Sequence, residues 1–349
     1  MDKNKLYFAA LNPVQQINIP EAKEVEVHGK DFISWGADNK YCDFLYRLYT
    51  DSPSVQTIVN GTVDFVTGSK VETNSPIKSR DIEDIVALAM TDYLVFGALT
   101  LVVYRNKLGK VVDTDWIDIR HLRSNKKNDV FFYSEDWNKS YGRVKTIIYP
   151  KYIEGGKDLV SILMVKNPQS RSTYPLCPWS SAVRSATIET EISKFHLNEI
   201  SNNFTASAIV NFNNGVPDDK QKEEIEEMMS EKFGGAENAG RFLLSFNANK
   251  ENATTIERLD ADNFDERYTN LEKSTKQQIF TAFRAVPALF GLMTETTGFS
   301  SQEFSEAFEL YNKTRVKPLQ NVFVRAWERI WGENSLRITP FEVEKSEEE

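Results

Sequence analysis

The residues best able to move a proton or hold a metal near neutral pH are histidines. This chain has three, His28, His121 and His196, scattered along its length. His196 and Glu199 share a helix face, but one HxxE pair without further ligands does not make a metal site; it reads as a surface or interface pair. The acid pairs Asp113/Asp115 and Asp260/Asp262 would suit acid–base work if they converged on a substrate, but they fall at turns, where structural roles explain them better. No GxxxxGK[ST] loop is present to cradle phosphates, and no GxSxG accompanies a His and an Asp. The glycine-rich stretch Gly234 to Gly240 follows a helical run and lacks the GxGxxG spacing, so it reads as a turn. Cys42 and Cys177 make no disulfide framework and read as buried thiols in a reducing compartment. The expectation is a protein that is not an enzyme and uses neither cofactor nor metal.

Composition sets the outer bounds. The chain has 349 residues, 40% hydrophobic and 27% charged, which is ordinary for a soluble globular protein with one or two domains. Its 22 Phe and 13 Tyr imply large packed contacts, within a chain or between chains. The net charge of -9 supplies no basic field to attract nucleic acid. The start of the chain lacks a signal peptide's apolar core, and no run of 18 apolar residues spans a membrane.

The elements follow from pattern. Residues 1–40 show little periodicity beyond a short strand near Glu24 to Val27. A helix is expected from Asp38 to Tyr49 with Asp38 as N-cap, then one opened by Ser52, Pro53 and Ser54 and stopped by Gly68. A third has Ser79 or Asp81 as cap and acids in its first turn. The pattern then changes to period two. LTLVVYRN, KVVDTDWIDI, VFFYS, KTIIYP and DLVSILMVKN read as strands, so this half is an α+β domain.

Residues 179–204 read as a helix with two apolar faces, Ile188, Ile192 and Phe195 on one side and Leu197, Ile200 and Phe204 on the other. Two stripes mean burial on both sides, inside one chain or between neighbouring subunits. Residues 205–259 read as a small inserted α/β unit with strands at ASAIVNF, RFLLSFN and TTIERLD. Its helix, from Asp218 to Phe233, carries seven acids and three lysines; that is either a solvated face or a charged docking surface. Residues 260–286 then form an amphipathic helix with Phe264, Tyr268, Leu271, Thr275, Ile279, Ala282 and Val286 on one stripe. Glu266, Asn270, Lys273, Gln277 and Arg284 lie opposite. Pro287 stops it. The Gly- and Thr-rich ALFGLMTETTGFSS has no period, and a last helix opens at Ser300 or Ser301, bends at Pro318 and ends at Gly332.

Helix, Val-Pro, Leu-Phe-Gly, Thr-rich loop, helix, Pro-Leu: this order resembles the C-terminal half of tailed-phage portal proteins of the HK97 type. YPLCPWSSAVRSATIETEISKFHLNEISNNFTASAIV is similar to that family's tyrosine, small-Pro-Leu, helix and aromatic-Asn segment. EKFGGAENAGRFLLSF is similar to its Gly-rich turn before a strand, and WIDIRHLRS to its short strand leading to a Pro or Arg step. The main segments span about 170 to 332, nearly half the chain.

The resemblance implies an α+β portal-type subunit. Its parts are an N-terminal arm (1–50), a wing (51–172), a stem helix (173–204), a clip (205–259), a second stem helix (260–286), a tunnel loop (287–301), a kinked wing helix (302–332) and an acidic C-terminal tail (333–349), with any helical crown absent or vestigial. It further implies a ring of about twelve copies, closed head to tail at one capsid vertex. Double-stranded DNA would pass through without sequence specificity. The partners implied are the terminase large subunit, the major capsid protein and a head–tail adaptor, with no membrane; the location is the virion, after assembly in the host cytoplasm. Site residues follow by position. Thr294, Glu295, Thr296, Thr297, Gly298 and Ser300 form the tunnel loop, Lys273, Gln277 and Arg284 face the channel from the stem, and Glu223, Glu224, Glu226 and Glu227 form the clip's docking face. A mostly acidic ring with sparse cations would let a polyanion slide, because a strongly basic lining grips phosphates through counterion release. A virion adaptor ring without DNA passage, or a hydrolase with a noncontiguous site, are the alternatives.

Overall fold

The computed structural model describes residues 19–27, 31–137, 145–201, 208–212, 220, 242–246, 264–291 and 301–341. The chain divides into two compact units, Met1–Arg184 with Phe283–Glu349, and Ser185–Ala282.

The first unit opens with β1 (Glu24–Glu26) antiparallel to β2 (Ile33–Trp35). Helix α1 runs Tyr41–Asp51 and so begins three residues after the expected Asp38 cap. Asn39 takes a left-handed φ of 63°, which no helical residue can adopt, and Asp38 accepts from the Lys40 amide outside the helix instead. Helix α2 (Pro53–Thr67) starts as its sequence dictates: Ser52 accepts from the Val55 amide at 3.3 Å, and Pro53 sits in the first turn, where its missing N–H costs nothing. Helix α3 (Ile82–Phe96) has Asp81 at its N-cap position and Glu83 and Asp84 in its first turn, complementing the helix dipole. Gly97 ends it at φ 93°; a Cβ there would lie 2.1 Å from the Leu176 carbonyl oxygen.

Two three-stranded antiparallel sheets follow. In one, β4 (Ala98–Arg105) lies between β5 (Val111–Trp116) and β9 (Val160–Lys166). The other has the order β6 (Leu122–Ser124), β7 (Val130–Tyr133), β8 (Ile147–Pro150). As the central strand, β4 is buried along almost its whole length. A cluster of Val102, Leu122, Phe131 and Ile162 draws on both sheets. Tyr174, from the YPLCPW segment, stacks flat on Trp35 with ring centroids 4.7 Å apart. Its hydroxyl donates to the Ile33 carbonyl and accepts from the Ser124 amide, joining β2 to β6. Arg123, fully buried, donates to the Asn39 side chain and to the carbonyls of Asn39, Arg120 and Leu122. Its charge is met by backbone dipoles, as burial of a cation requires.

The end of the described chain returns to the start. Strand β3 (Lys70–Thr73) pairs antiparallel with β12 (Leu336–Thr339). The stretch expected as a tail therefore begins as part of the fold, because Leu336 buries its side chain while the strand completes a ladder; 342–349 lie outside the described residues. Before β12 come α6 (Ser301–Tyr311), a π-helical turn at Asn312–Val316, and α7 (Lys317–Trp331). A bend is expected at Pro318; the structure has this π-turn directly before it. Proline donates no hydrogen bond and crowds the carbonyl four residues back, Thr314, so the preceding turn widens. Leu319, Phe323, Ala326, Trp327 and Ile330 form the buried stripe of α7. It is anchored by Gln320, which donates to the Val66 carbonyl, and by the Trp327 indole, which donates to Ser75.

Helix α4 (Val183–Ser201), which enters the second unit at Ser185, follows a 3-10 turn at Ser180–Ala182, so the helix expected over 179–204 starts later than expected; 202–204 lie outside the described residues. Strands β10 (Ala208–Phe212) and β11 (Phe242–Phe246) pair in parallel. The strand expected at TTIERLD and the acidic helix with Glu223, Glu224, Glu226 and Glu227 lie outside the described residues, as do His28, Asp260 and Asp262. Helix α5 spans Phe264–Phe283.

Candidate functional site

Helix α5 and the connector after it carry the described part of the candidate site. Expected over 260–286, the helix stops at Phe283 rather than at Pro287. Arg284 takes a left-handed φ of 55°, and Val286 is extended, as a residue before proline must be. The buried stripe keeps the expected face at Thr275 and Ile279 but starts later than expected. Thr275, Ile279, Phe280 and Phe283 are buried, while Leu271 is 43% exposed. Four-residue steps from Thr275 to Ile279 to Phe283 hold one face inward, and Leu271 sits one turn before the burial starts.

Of the expected channel-facing residues, Lys273 and Gln277 are exposed on α5 as their spacing implied. Arg284 is exposed too, but it stands in the turn beyond the helix, because its backbone has left helical geometry. Around them the surface is polar. Lys276 pairs with Glu272 at 2.7 Å, an i,i+4 pair, and Ser185 on α4 donates to Gln278 at 2.7 Å. The loop residues Thr294, Glu295, Thr296, Thr297, Gly298 and Ser300 lie outside the described residues.

What the structure does show is how both ends of that loop are held. Pro287–Phe290 forms a 3-10 turn closed by Gly291 at φ 77°. The Phe290 ring meets Phe65 at 6.1 Å and Tyr311 at 5.8 Å, both edge on. Phe65 also meets Phe308 at 5.7 Å and Phe341 at 6.5 Å. The hydroxyls of Thr62 and Tyr311 share a 2.8 Å hydrogen bond across 249 residues of sequence. Gly61 makes the approach possible, since a Cβ there would come 2.9 Å from the Phe290 ring. Such edge-on pairs add about 0.5–1.5 kcal/mol each beyond area burial. The sequence reading missed this anchor. Its only local signal was Gly61, a helix-weakening residue in the middle of α2.

Electrostatics at the anchor is cationic. Burial pulls Arg315, in the π-turn, below its ordinary value, and nearby Arg284 adds repulsion that Tyr311 opposes. The Arg315 Nε and the Asn312 side-chain oxygen are buried without hydrogen-bond partners.

No catalytic arrangement emerges among the described residues. No group of three His, Cys, Asp or Glu is placed there to hold a metal. His121 Nδ1 lies 3.0 Å from the Ser134 carbonyl oxygen and its Nε2 3.9 Å from Asp118. Asp113 accepts from Ser79 and from the Lys78 and Thr114 amides, and Asp115 accepts from Arg80. Both cysteines are free and buried, and burial pushes the Cys177 thiol up to about 12. No helix among the described residues is long and apolar enough to cross a membrane.

A mixed α+β unit, a second unit of helices and a parallel strand pair, and a connector pinned at both ends by aromatics define a portal-type subunit. The chain belongs to the phage portal protein family, whose model, described as phage portal protein, matches residues 73–329. Among solved structures, the chain is similar to one from the virion of a native gene transfer agent particle, at 15% identity and TM-score 0.55, covering 86% of this chain and 83% of that one. A chain from the neck of the native particle, computed with C12 symmetry, is 14% identical with TM-score 0.54, covering 86% and 84%. An HK97 family phage portal protein from Corynebacterium diphtheriae is 12% identical with TM-score 0.52, covering 84% of this chain and 94% of that one. A search of curated proteins found no match.

Proposed function

We propose that this chain is the repeating subunit of a ring of about twelve copies at one vertex of a phage capsid, through which double-stranded DNA enters and leaves. One observation carries the assembly step. Helices α4 and α5 leave large apolar side chains uncovered in the single chain: Leu197 is 64% exposed, Leu271 43%, Ile188 and Phe195 37% each. Scattered apolar residues need no explanation, but four on two neighbouring helices mark a surface that another molecule covers. Ile188 and Phe195 from one expected face of the first helix and Leu197 from the other then find their partner in an adjacent copy. The related fold in a neck computed with C12 symmetry supports closure as a ring.

In this reading the wing, 51–172, meets the capsid shell, and the clip, 205–259, meets the terminase and later a head–tail adaptor. The loop over 292–300 projects from its aromatic anchor toward the channel axis. Its Thr and Ser hydroxyls would bond phosphate weakly and release it, with Lys273, Gln277 and Arg284 adding a few contacts. The test is electron microscopy of the purified assembly viewed down its axis, together with packaging by Thr296→Lys/Thr297→Lys. Rings with an open pore, and a packaging defect that eases as salt rises, are expected. A plugged ring, or wild-type packaging at low salt, refutes DNA passage along the loop.

A further inference from the structure

A cleft of about 150 Å³ lies in the first unit between α3, the end of β9 and α7. Its walls are apolar, from Val165, Pro168, Val322 and Ala326, and its charged rim is entirely cationic, from Lys166, Arg325 and Arg329. Tyr93 completes the lining. It is 7% exposed. Arg325 donates its Nε–H to the Asn321 carbonyl, and neither it nor Arg329 forms an ion pair with a described residue. Lys166 donates to the carbonyls of Ser172 and Thr173; an ammonium has three protons, so one remains to offer. Burial holds Lys166 below its usual value, with Lys151 adding to the effect and Glu24 opposing it.

An anion is the missing component. Three cations around apolar walls suit a carboxylate on a short aliphatic stem. The volume is well under the roughly 300–1,000 Å³ of small-molecule pockets, so the occupant is a side chain rather than a nucleotide. We propose that the cleft binds glutamate side chains of this chain's own segment Glu342–Glu349. That segment, EVEKSEEE, has five glutamates and one lysine, a net charge of -4. It departs from a suitable place. The Ser69 amide donates to the Thr339 carbonyl and Gln320 donates to the Val66 carbonyl, so residues 339 and 320 both abut the end of α2. Arg325 and Arg329 lie five and nine residues further along α7, about 8 and 14 Å at 1.5 Å per residue. Eight extended residues reach about 26 Å. Docked there, the segment would neutralise the cleft and fasten the last strand of the fold against α7. Arg–carboxylate bonds are among the stronger hydrogen bonds available for this.

The experiment uses the full chain. Carbodiimide coupling joins a carboxylate to an amine in direct contact, so peptide mass spectrometry should find Lys166 linked to a glutamate within 342–349. Mixing isotope-labelled and unlabelled protein distinguishes a link within one chain, which is expected, from one between chains. Arg329→Gln should lower the urea midpoint in low salt. That drop should shrink at least twofold when the five glutamates are already Gln, because the partner is gone. Three results overturn the proposal: no link from Lys166 to this segment, a link found only between differently labelled chains, or equal Arg329→Gln effects in both backgrounds. A Lys166 link to another acidic protein in assembled particles, with none to this segment, would assign the cleft to that partner instead.

Discussion

Two substitutions on α5 separate the subunit core from the ring contact. Ile279 has no exposed surface, so truncation to Ala removes a branched side chain from a packed site. Loss of transfer free energy plus the residual cavity costs about 2–5 kcal/mol. Leu271, two turns earlier, is 43% exposed in the single chain, and Leu271→Ala there should cost less than about 0.5 kcal/mol, as surface changes do. If a neighbouring subunit covers it, the same change weakens the ring. The assays are urea denaturation of isolated subunits and the ring fraction by size-exclusion chromatography across concentration. Ile279→Ala should lower the urea midpoint in both states. Leu271→Ala should leave the subunit midpoint in place and shift the ring fraction to higher concentration. Equal destabilisation of isolated subunits by the two would show that the buried face of α5 is wrongly oriented. A Leu271→Ala ring fraction identical to wild type would show that the exposed turn is not an interface.

Asp92 is buried and accepts from the Trp116 indole at 2.8 Å and from the Ile119 amide at 3.4 Å; burial raises it well above the usual carboxylate range, with Asp118 adding to the rise and Arg120 opposing it. A raised folded value means stability is lost as pH rises through it, so Asp92→Asn, which keeps the acceptor, should gain stability relative to wild type from pH 5 to pH 8, measured by urea midpoints; a pH-independent difference would contradict this. Tyr311→Phe leaves the buried Thr62 hydroxyl unpaired and should cost about 1–3 kcal/mol, while adding Thr62→Val should recover most of it; two additive losses would deny the hydrogen bond its role. Reversing Glu223, Glu224, Glu226 and Glu227 to Lys should leave rings intact but lower DNA packaging in vitro, and unchanged packaging would remove the motor dock from this segment.

Local signals in the sequence were enough for α2, α3 and the strands β4, β5, β7, β8 and β9, though not for the short β6. Ser52, Pro53, Gly68 and Asp81 act within one helical turn, and period-two runs reveal a strand whatever its partner. They were also enough to place the chain in its family, through the order of segments from Tyr174 to Gly332. What the sequence alone could not determine depended on contacts distant along the chain. Nothing local shows that Leu336 to Thr339 returns to pair with β3, because a ladder is made by its partner. The face that α5 buries was off by Leu271, because a stripe of apolar residues does not say where along its length the neighbours begin. Arg284 left the helix for a left-handed turn that only the docked Pro287–Phe290 segment fixes. The aromatic anchor of Phe65, Phe290, Phe308 and Tyr311, and the cationic cleft at Tyr93, bring together residues from opposite ends of the chain. Tertiary packing alone decides such sites, since burial and the loss of solvent around a charge are properties of the assembled fold and not of any one segment.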